Sequence, residues 1–267
     1  MNQKNFEYLR DQVKFTGFGE GLEIGLKQKL EKGGPEFNIQ FQTVYGKQSV
    51  EATLNFSRSK QSDMYFFNSY KLRLQKENGP DSMEQTFYIN KGSNITLKEA
   101  FNLMEGRAVN KELTTKEGKI YTAWIQMDFT QSNKNGNFKL KQYHQNYGYD
   151  LEAALSKHPI KELSVEEYKN NLKDSLKKGN IQSVTFLNKG VEQKLYIEAN
   201  PHFKTINIYD HNMQRIDKRQ SKAERKAEGE AQSVKKDKKE KQSAAEEDGP
   251  EIPKSVNKKK RRKAQAV

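Results

Sequence analysis

Residues 96–143 read TLKEAFNLMEGRAVNKELTTKEGKIYTAWIQMDFTQSNKNGNFKLKQY, and they set out one complete folding unit. Thr96-Leu-Lys-Glu99 has the spacing of a capping box. The Thr hydroxyl accepts from the amide three residues on, and the Glu side chain reaches back. Phe101, Leu103 and Met104 give the helix an apolar face, and Gly106 supplies the left-handed residue that ends it. Ala108–Leu113 predicts a strand and Glu117-Gly118 a turn. Tyr121–Phe129 carries Ala123, Ile125, Met127 and Phe129 at a period of two, the pattern of a half-buried strand. Trp124 falls on the opposite face from these residues, which implies that the second face of the sheet is covered too. Asn135-Gly136 is a hairpin signal, because a type I′ turn needs positive φ at both central residues. Phe138–Tyr143 is the third strand. The unit is αβββ.

The same order recurs on either side. Downstream, Ser164-Val-Glu-Glu167 has capping-box spacing, and Tyr168, Leu172 and Leu176 share one helical face. Gly179 ends that helix. Strands are predicted at Ile181–Leu187, Glu192–Ala199 and Phe203–Tyr209, with turns at Lys189-Gly190 and Asn200-Pro201. Upstream, Leu22, Leu26 and Leu30 give a helix face that Gly33-Gly34-Pro35 stops. Phe37, Ile39 and Phe41 alternate on one strand; Val50, Ala52, Leu54 and Phe56 alternate on the next, after a turn at Gly46. Tyr65–Leu74 and Gln85–Ile89 add two more. Gly34, Gly106 and Gly179 are 72 and 73 residues apart, and each precedes its turn glycine (Gly46, Gly118, Gly190) by 12, 12 and 11 residues. This period is longer than the roughly 20–50 residues of solenoid repeats. The expected fold is α+β: tandem small αβββ units with mostly antiparallel sheets. Their bounds are 1–90 for a divergent first unit, 91–160 for the second and 161–216 for the third.

Residues 217–267 are of another kind. They hold no Phe, Tyr or Trp, and carry 17 Lys+Arg against 10 Asp+Glu, a net of +7 out of +13 for the whole chain. Such a segment buries too little apolar surface to offset the entropy of ordering its backbone, so a disordered basic tail is expected there. An acidic stretch, Glu246–Glu251, precedes Lys258-Lys-Lys-Arg-Arg-Lys263. Six consecutive cations on a flexible chain form an electrostatic hook for a polyanion.

Gly106-Arg-Ala-Val109, Leu113, Lys116-Glu-Gly118 and Ala123-Trp-Ile-Gln126 resemble a bacterial domain family of unknown function, typical of Bacteroides-group mobile and conjugative elements. The theme of that family is a helix ending in Gly-Lys/Arg-Ala-Val, a strand, a Lys-x-Gly turn, and a strand carrying Ala-x-Val/Ile-Gln. Residues 95–129 match best. Residues 1–216 as a whole resemble uncharacterised stand-alone proteins of the same group. Gly179-Asn-Ile-Gln-Ser-Val184 keeps the glycine and the valine but lacks the alanine. The resemblance implies a bacterial, cytoplasmic, mobile-element setting and carries no catalytic residue.

Chemistry is sparse. With no cysteine, disulfides, thiolate metal sites and cysteine nucleophiles are excluded, and a reducing compartment is the default. Met1–Arg10 has no apolar signal core, and no run approaches about 18 apolar residues, so neither a secretory signal nor a membrane span is expected. Gly17-Phe-Gly-Glu-Gly21 follows a helical pattern rather than a strand and lacks the Gly-Lys-Ser/Thr of a phosphate loop. His144, His158, His202 and His211 show no metal-ligand spacing. Asp128 with Asp150, and Glu166 with Glu167, are the carboxylate pairs; the second suits a helix N-terminus. No enzyme signature, metal or cofactor is expected.

Aromatic residues beside lysines offer a binding chemistry, since rings stack on bases while lysines hold phosphates. Tyr65-Phe-Phe67 with Tyr70 reads mainly as sheet packing. Tyr143, Tyr147 and Tyr149, near Lys139 and Lys141, form the more polar cluster. The expected function is a noncatalytic nucleic-acid-associated protein of a mobile element. It would bind DNA or RNA mainly through Lys258, Lys259, Lys260, Arg261, Arg262 and Lys263, with Lys139, Lys141, Tyr143, Tyr147 and Tyr149 as body residues. The alternative is a protein-interaction module whose sheet edges take a partner's strand, the tail serving solubility or tethering. Its partner would be another protein of the same element.

Overall fold

A computed structural model describes residues 1–75, 82–89, 94–115, 117–188 and 190–216. The expected tail at 217–267, with its six terminal cations, lies outside the described residues, as do Lys116 and Lys189 of two predicted turns. Among the described residues, no helix is long and apolar enough to cross a membrane.

The fold is α+β, and a helix followed by an antiparallel meander occurs three times. Helix α1 (Gln3–Val13) runs into a π-helical turn at Lys14–Phe18, and α2 (Glu23–Lys32) follows. Strands β1 (Glu36–Tyr45), β2 (Gln48–Arg58), β3 (Tyr65–Gln75) and β4 (Ser82–Tyr88) form the first sheet in that order. Helix α3 (Leu97–Met104) leads into β5 (Val109–Thr114), β6 (Ile120–Ser132) and β7 (Phe138–His144). A short helix α4 (Leu151–Leu155) and a 3-10 turn at Lys161–Ser164 precede α5 (Glu166–Lys177). Strands β8 (Gln182–Asn188), β9 (Val191–Asn200) and β10 (Thr205–Tyr209) complete the third sheet. Among the described residues every strand pairing is antiparallel.

The capping box of α3 forms as its spacing requires. Glu99 N–H donates to Thr96 Oγ1 at 3.4 Å, and Thr96 N–H donates to Glu99 Oε2 at 2.9 Å. Glu99 also pairs with Lys111 of β5 at 3.0 Å, both side chains being largely buried, which ties the start of the helix to its first strand. Helices α3 and α5 end alike. Gly106 N–H donates to the Leu103 carbonyl and Arg107 N–H to that of Asn102. Gly179 N–H donates to Leu176 and Asn180 N–H to Ser175 in the same pattern. This is the Schellman arrangement, with φ of +82° at Gly106 and +77° at Gly179. Helix α2 ends one residue sooner, on Gly33 at φ +71°, so Gly34 is not its cap.

Two cores hold the meanders together. In the first, Leu9, Phe18 and Leu26 from the N-terminal helices meet Leu54, Phe67, Tyr70 and Leu72 of the first sheet. Leu97, Leu103, Ile125 and Met127 from the middle unit belong to that same core. In the second, Leu172, Leu176, Val184, Ile197 and Ile206 of the third unit pack with Ala108, Trp124 and Tyr143 of the middle one. The middle sheet is therefore covered on both faces, and Trp124, 6% exposed, fills the second face as its alternation predicts. Positions 90 and 160 divide repeats of topology, while the cores cross both.

The sheets are also joined edge to edge. Phe138 N–H donates to Gln85 Oε1 at 2.8 Å, and Thr86 N–H donates to Asn137 Oδ1 at 2.8 Å. These side-chain amides occupy backbone groups on β4 and β7 that would otherwise template another strand. Strand β8 is covered in the same sense by Glu162, whose carboxylate accepts from Thr185 N–H at 3.0 Å, and by the Pro159 carbonyl, which accepts from Leu187 N–H at 2.8 Å.

Besides Gly34, four local expectations fail, each for a visible reason. Ser164 does not cap α5: it belongs to the preceding 3-10 turn and donates its hydroxyl to the Lys161 carbonyl at 2.8 Å. Tyr168 is 58% exposed, so the buried stripe of α5 is Leu172 and Leu176. Phe129 breaks the alternation of β6 and lies at the surface, because the register shifts between Asp128 and Ser132. The Asn135-Gly136 hairpin closes, but only Gly136 has positive φ, at +77°. Asn133 Oδ1 accepts from the amides of Asn135 and Asn137 and sets the turn instead.

Candidate functional site

The body residues read as a binding cluster come from β7 and the segment after it. Lys139, Lys141 and Tyr143 alternate along β7, opposite Asp128, Gln126 and Trp124 of β6, so all six lie on one face of the middle sheet. The face changes character along its length. Tyr143 is buried against Trp124's core, and its hydroxyl lies 3.2 Å from His202 Nδ1. Lys139 and Lys141 are exposed; Lys139 donates to Gln131 Oε1 at 3.1 Å, and Lys141 pairs with Asp128 at 3.0 Å. Tyr147 sits in a 3-10 turn and donates to the His202 carbonyl at 2.7 Å. Tyr149 donates to the Thr205 carbonyl at 3.0 Å and sets its ring edgewise on Trp124. Burial pushes the Tyr149 hydroxyl well above the usual tyrosine range.

The three tyrosines thus strap the middle unit to the β9–β10 connection. Tyr143 and Tyr149 use their rings for packing. Tyr147 keeps an exposed ring, with Lys204 Nζ 4.6 Å from its centroid and Tyr143 5.0 Å away. Lys139, Lys141 and Tyr147 are the members of the cluster that face solvent. Of the other aromatic group, Tyr65, Phe67 and Tyr70 are core residues and Phe66 is exposed.

Asp128 anchors this face. Its carboxylate accepts from the Thr130 hydroxyl at 2.6 Å and amide at 3.0 Å as well as pairing with Lys141. Those bonds, the Thr130 hydroxyl first, hold its pKa down at about 2. A folded pKa below the unfolded one stabilises the fold above the unfolded value of about 3.9, and that stabilisation is lost as pH falls toward 2. Asp128→Asn is therefore expected to be less stable than the native chain at pH 7, with the gap closing between about pH 4 and 2. Thermal midpoints of both proteins across that range check this; a gap that does not change with pH would contradict it.

A second constellation is visible only in three dimensions. The Tyr45–Gln48 hairpin tip, α3 with the turn after it, and residues 180–182 line an open cleft of about 590 Å³. Lys98 and Arg107 both lie on the ring of Phe101, with Lys98 Nζ 4.8 Å and Arg107 Cζ 5.3 Å from its centroid. Lys98 Nζ is also 4.2 Å from the centre of the Tyr45 ring. Among the described residues neither cation forms an ion pair. Burial lowers the pKa of Lys98, and the neighbouring Arg107 charge lowers it further. Burial lowers that of Arg107, against the attraction of Glu105 and Glu198.

Arg107 is aimed by Asn102, which is fully buried. Asn102 Nδ2 donates to the Lys178 carbonyl at 2.6 Å and to Asn180 Oδ1 at 2.9 Å, which turns Oδ1 toward Arg107 Nη2 at 2.7 Å. That is the guanidinium's one hydrogen bond among the described residues; its Nε is buried and unpaired. The sequence places Lys98 in the capping box and Arg107 in the Gly-Arg-Ala-Val motif, and assigns neither a binding role. The signal it held was position: Arg107 follows the Schellman glycine, so its side chain leaves the helix end beside Asn102. Among the described residues, no three His, Asp or Glu side chains are grouped as metal ligands.

No family model, curated protein or solved structure matches the chain.

Proposed function

We propose that this chain is a noncatalytic nucleic-acid-associated accessory protein of a bacterial mobile element, acting in the cytoplasm and holding DNA or RNA chiefly through residues 217–267. The observation that carries the reading is the placement of charge: over half of the net +13 falls in the last 51 residues, ending in six consecutive cations. Such a segment exchanges condensed counterions for lysine and arginine, a contact that positions without reading sequence. The mobile-element setting rests on the resemblance of residues 95–129. Lys139, Lys141 and Tyr147 supply a secondary contact on the body.

Fluorescence anisotropy of the full chain and of a 1–216 truncation, titrated against labelled single-stranded DNA, duplex DNA and RNA, tests the proposal. Met1–Asp217 is one compact unit, which makes the truncation a fair comparison. Salt-sensitive binding by the full chain that weakens sharply on truncation is expected. No binding by either form at low salt would refute it. Binding that survives truncation would move the site to Lys139, Lys141 and Tyr147.

A second reading, a protein-interaction module with the tail for solubility or tethering, is favoured by one feature. Strand β1 is an outer strand of ten residues, and its backbone makes no bond outside the β1–β2 ladder among the described residues. A partner strand added there would be seen as a complex that forms equally well with 1–216.

A further inference from the structure

We propose that the cleft between Lys98 and Arg107 binds a phosphate monoester, the phosphate held by the two cations and the remainder of the ligand lying against Gln48, Asn180 and Gln182. This goes beyond the reading above and does not depend on the tail.

The argument begins with charge. Two cations share one aromatic ring, and neither has an ion-pair partner among the described residues. Burial depresses the pKa of both groups, and for Lys98 the neighbouring Arg107 charge adds to it, so an anion between them would relieve a cost that the two cations carry there. Glu105 is the one carboxylate among the lining residues, and Glu198 acts on Arg107 from outside that lining. Two converging cations without an ion pair among the described residues select an anion, and suit a dianion over a lone carboxylate.

Shape and donors narrow the class. A guanidinium offers five N–H groups in a planar fork that matches phosphate oxygens, while an ammonium acts as a compact point charge. Among the described residues Arg107 spends one donor, on Asn102, and its Nε is buried, so the outer Nη groups are what it offers a ligand. Because Asn102 is itself fixed by two bonds to the third unit, the guanidinium is oriented before any ligand arrives. The cleft, about 590 Å³, lies within the roughly 300–1,000 Å³ usual for small-molecule sites and exceeds what a bare phosphate fills. The rest of its polar wall is the Tyr45 hydroxyl and the amides of Gln48, Asn180 and Gln182. Of these, Asn180 also bonds Asn102 and Ser175, and Gln182 donates to the Ile181 carbonyl. Amides donate and accept, as a hydroxylated or heterocyclic group requires.

Free nucleotides and sugar phosphates carry a phosphate monoester, and so does the 5′ end of a nucleic-acid strand. Isothermal titration of the full-length protein with AMP, adenosine and inorganic phosphate tests the shared chemistry. Hexanucleotides with and without a 5′ phosphate separate the sources. AMP is expected to bind at least tenfold more tightly than adenosine. Lys98→Gln, at an exposed position, is expected to weaken AMP at least tenfold with an unchanged circular dichroism spectrum. Arg107→Lys keeps the charge but loses the fork, and is expected to weaken AMP as well. A 5′-phosphate preference among the hexanucleotides that Lys98→Gln abolishes assigns the site to strand ends; AMP binding without it assigns free phosphoesters. Equal binding of AMP and adenosine, no binding of AMP at millimolar concentration, or AMP binding unchanged in Lys98→Gln would overturn the proposal. The basic tail is intact in every variant, so these outcomes are independent of the polyanion test.

Discussion

Gly179→Val is expected to destabilise the fold by about 3–5 kcal/mol, combining backbone strain with overpacking. Gly179 has φ +77°, where a β-branched residue costs about 1–2 kcal/mol by itself. A Cβ there would also stand 3.0 Å from the Ala108 carbonyl oxygen, from Asn102 Cβ and from Val109 Cγ2. None of these is the free end of a flexible chain; they belong to α3, the turn after it and the start of β5. The end of α5 and the end of α3 are pressed against each other at this point, with Asn102 bonded across. Gly118 separates the two causes: its φ is +85°, and no atom lies within 4 Å of its would-be Cβ. Gly118→Ala should therefore cost only the strain, about 1 kcal/mol, whereas Gly179→Ala should cost about twice that or more. Urea midpoints of the two alanine variants measure the difference. Equal costs would mean that the contact between the two helix ends is looser than described.

Tyr70→Ala is the second large effect, expected at about 3–5 kcal/mol from the cavity it leaves. Tyr70 is fully buried. Its ring meets Phe18 edgewise at 5.2 Å and stacks on Phe87 at 5.4 Å. Its hydroxyl donates to the Ile95 carbonyl at 2.7 Å, on the segment that leads into α3. Tyr70→Phe keeps the packing and strands that carbonyl, so it should cost about 1–2 kcal/mol. The middle sheet contributes Ile125 and Met127 to the core around Tyr70, and Trp124 to the other core. Loss of Tyr70 should therefore shift the Trp124 fluorescence transition and the far-ultraviolet circular dichroism transition together. Separate transitions would show the third unit folding without the first.

Much of this architecture was legible because it is encoded locally. Thr96 and Glu99 cap α3 through groups three residues apart, and Val50, Ala52, Leu54 and Phe56 alternate into one core. The glycines that end α3 and α5 follow from backbone conformation alone. Expectations failed where a neighbour outcompeted the local rule. Ser164 had a closer acceptor in its own 3-10 turn, and the β6–β7 register shifts after Asp128, where Thr130 bonds the Asp128 carboxylate and Phe129 lies at the surface. The tyrosines at 143, 147 and 149 were seen as a cluster, but their attachment to His202 and Thr205 depends on a contact almost sixty residues distant. The Lys98–Arg107 cleft was hidden for the same reason. Its walls come from 45–48, 98–107 and 180–182, and nothing in sequence spacing brings those segments together.

The claim that polyanions are held by the tail is tested most directly by the salt dependence of affinity. The logarithm of the binding constant for a labelled duplex would be plotted against the logarithm of salt concentration for the full chain. The same plot would be made for a full-length variant with Lys258, Lys259, Lys260, Arg261, Arg262 and Lys263 replaced by glutamine. If all six cations displace counterions from the duplex, they contribute about −5 to the slope. The account predicts that the variant's slope is shallower by that amount and its affinity at low salt correspondingly weaker. Superimposable lines for the two proteins would contradict it.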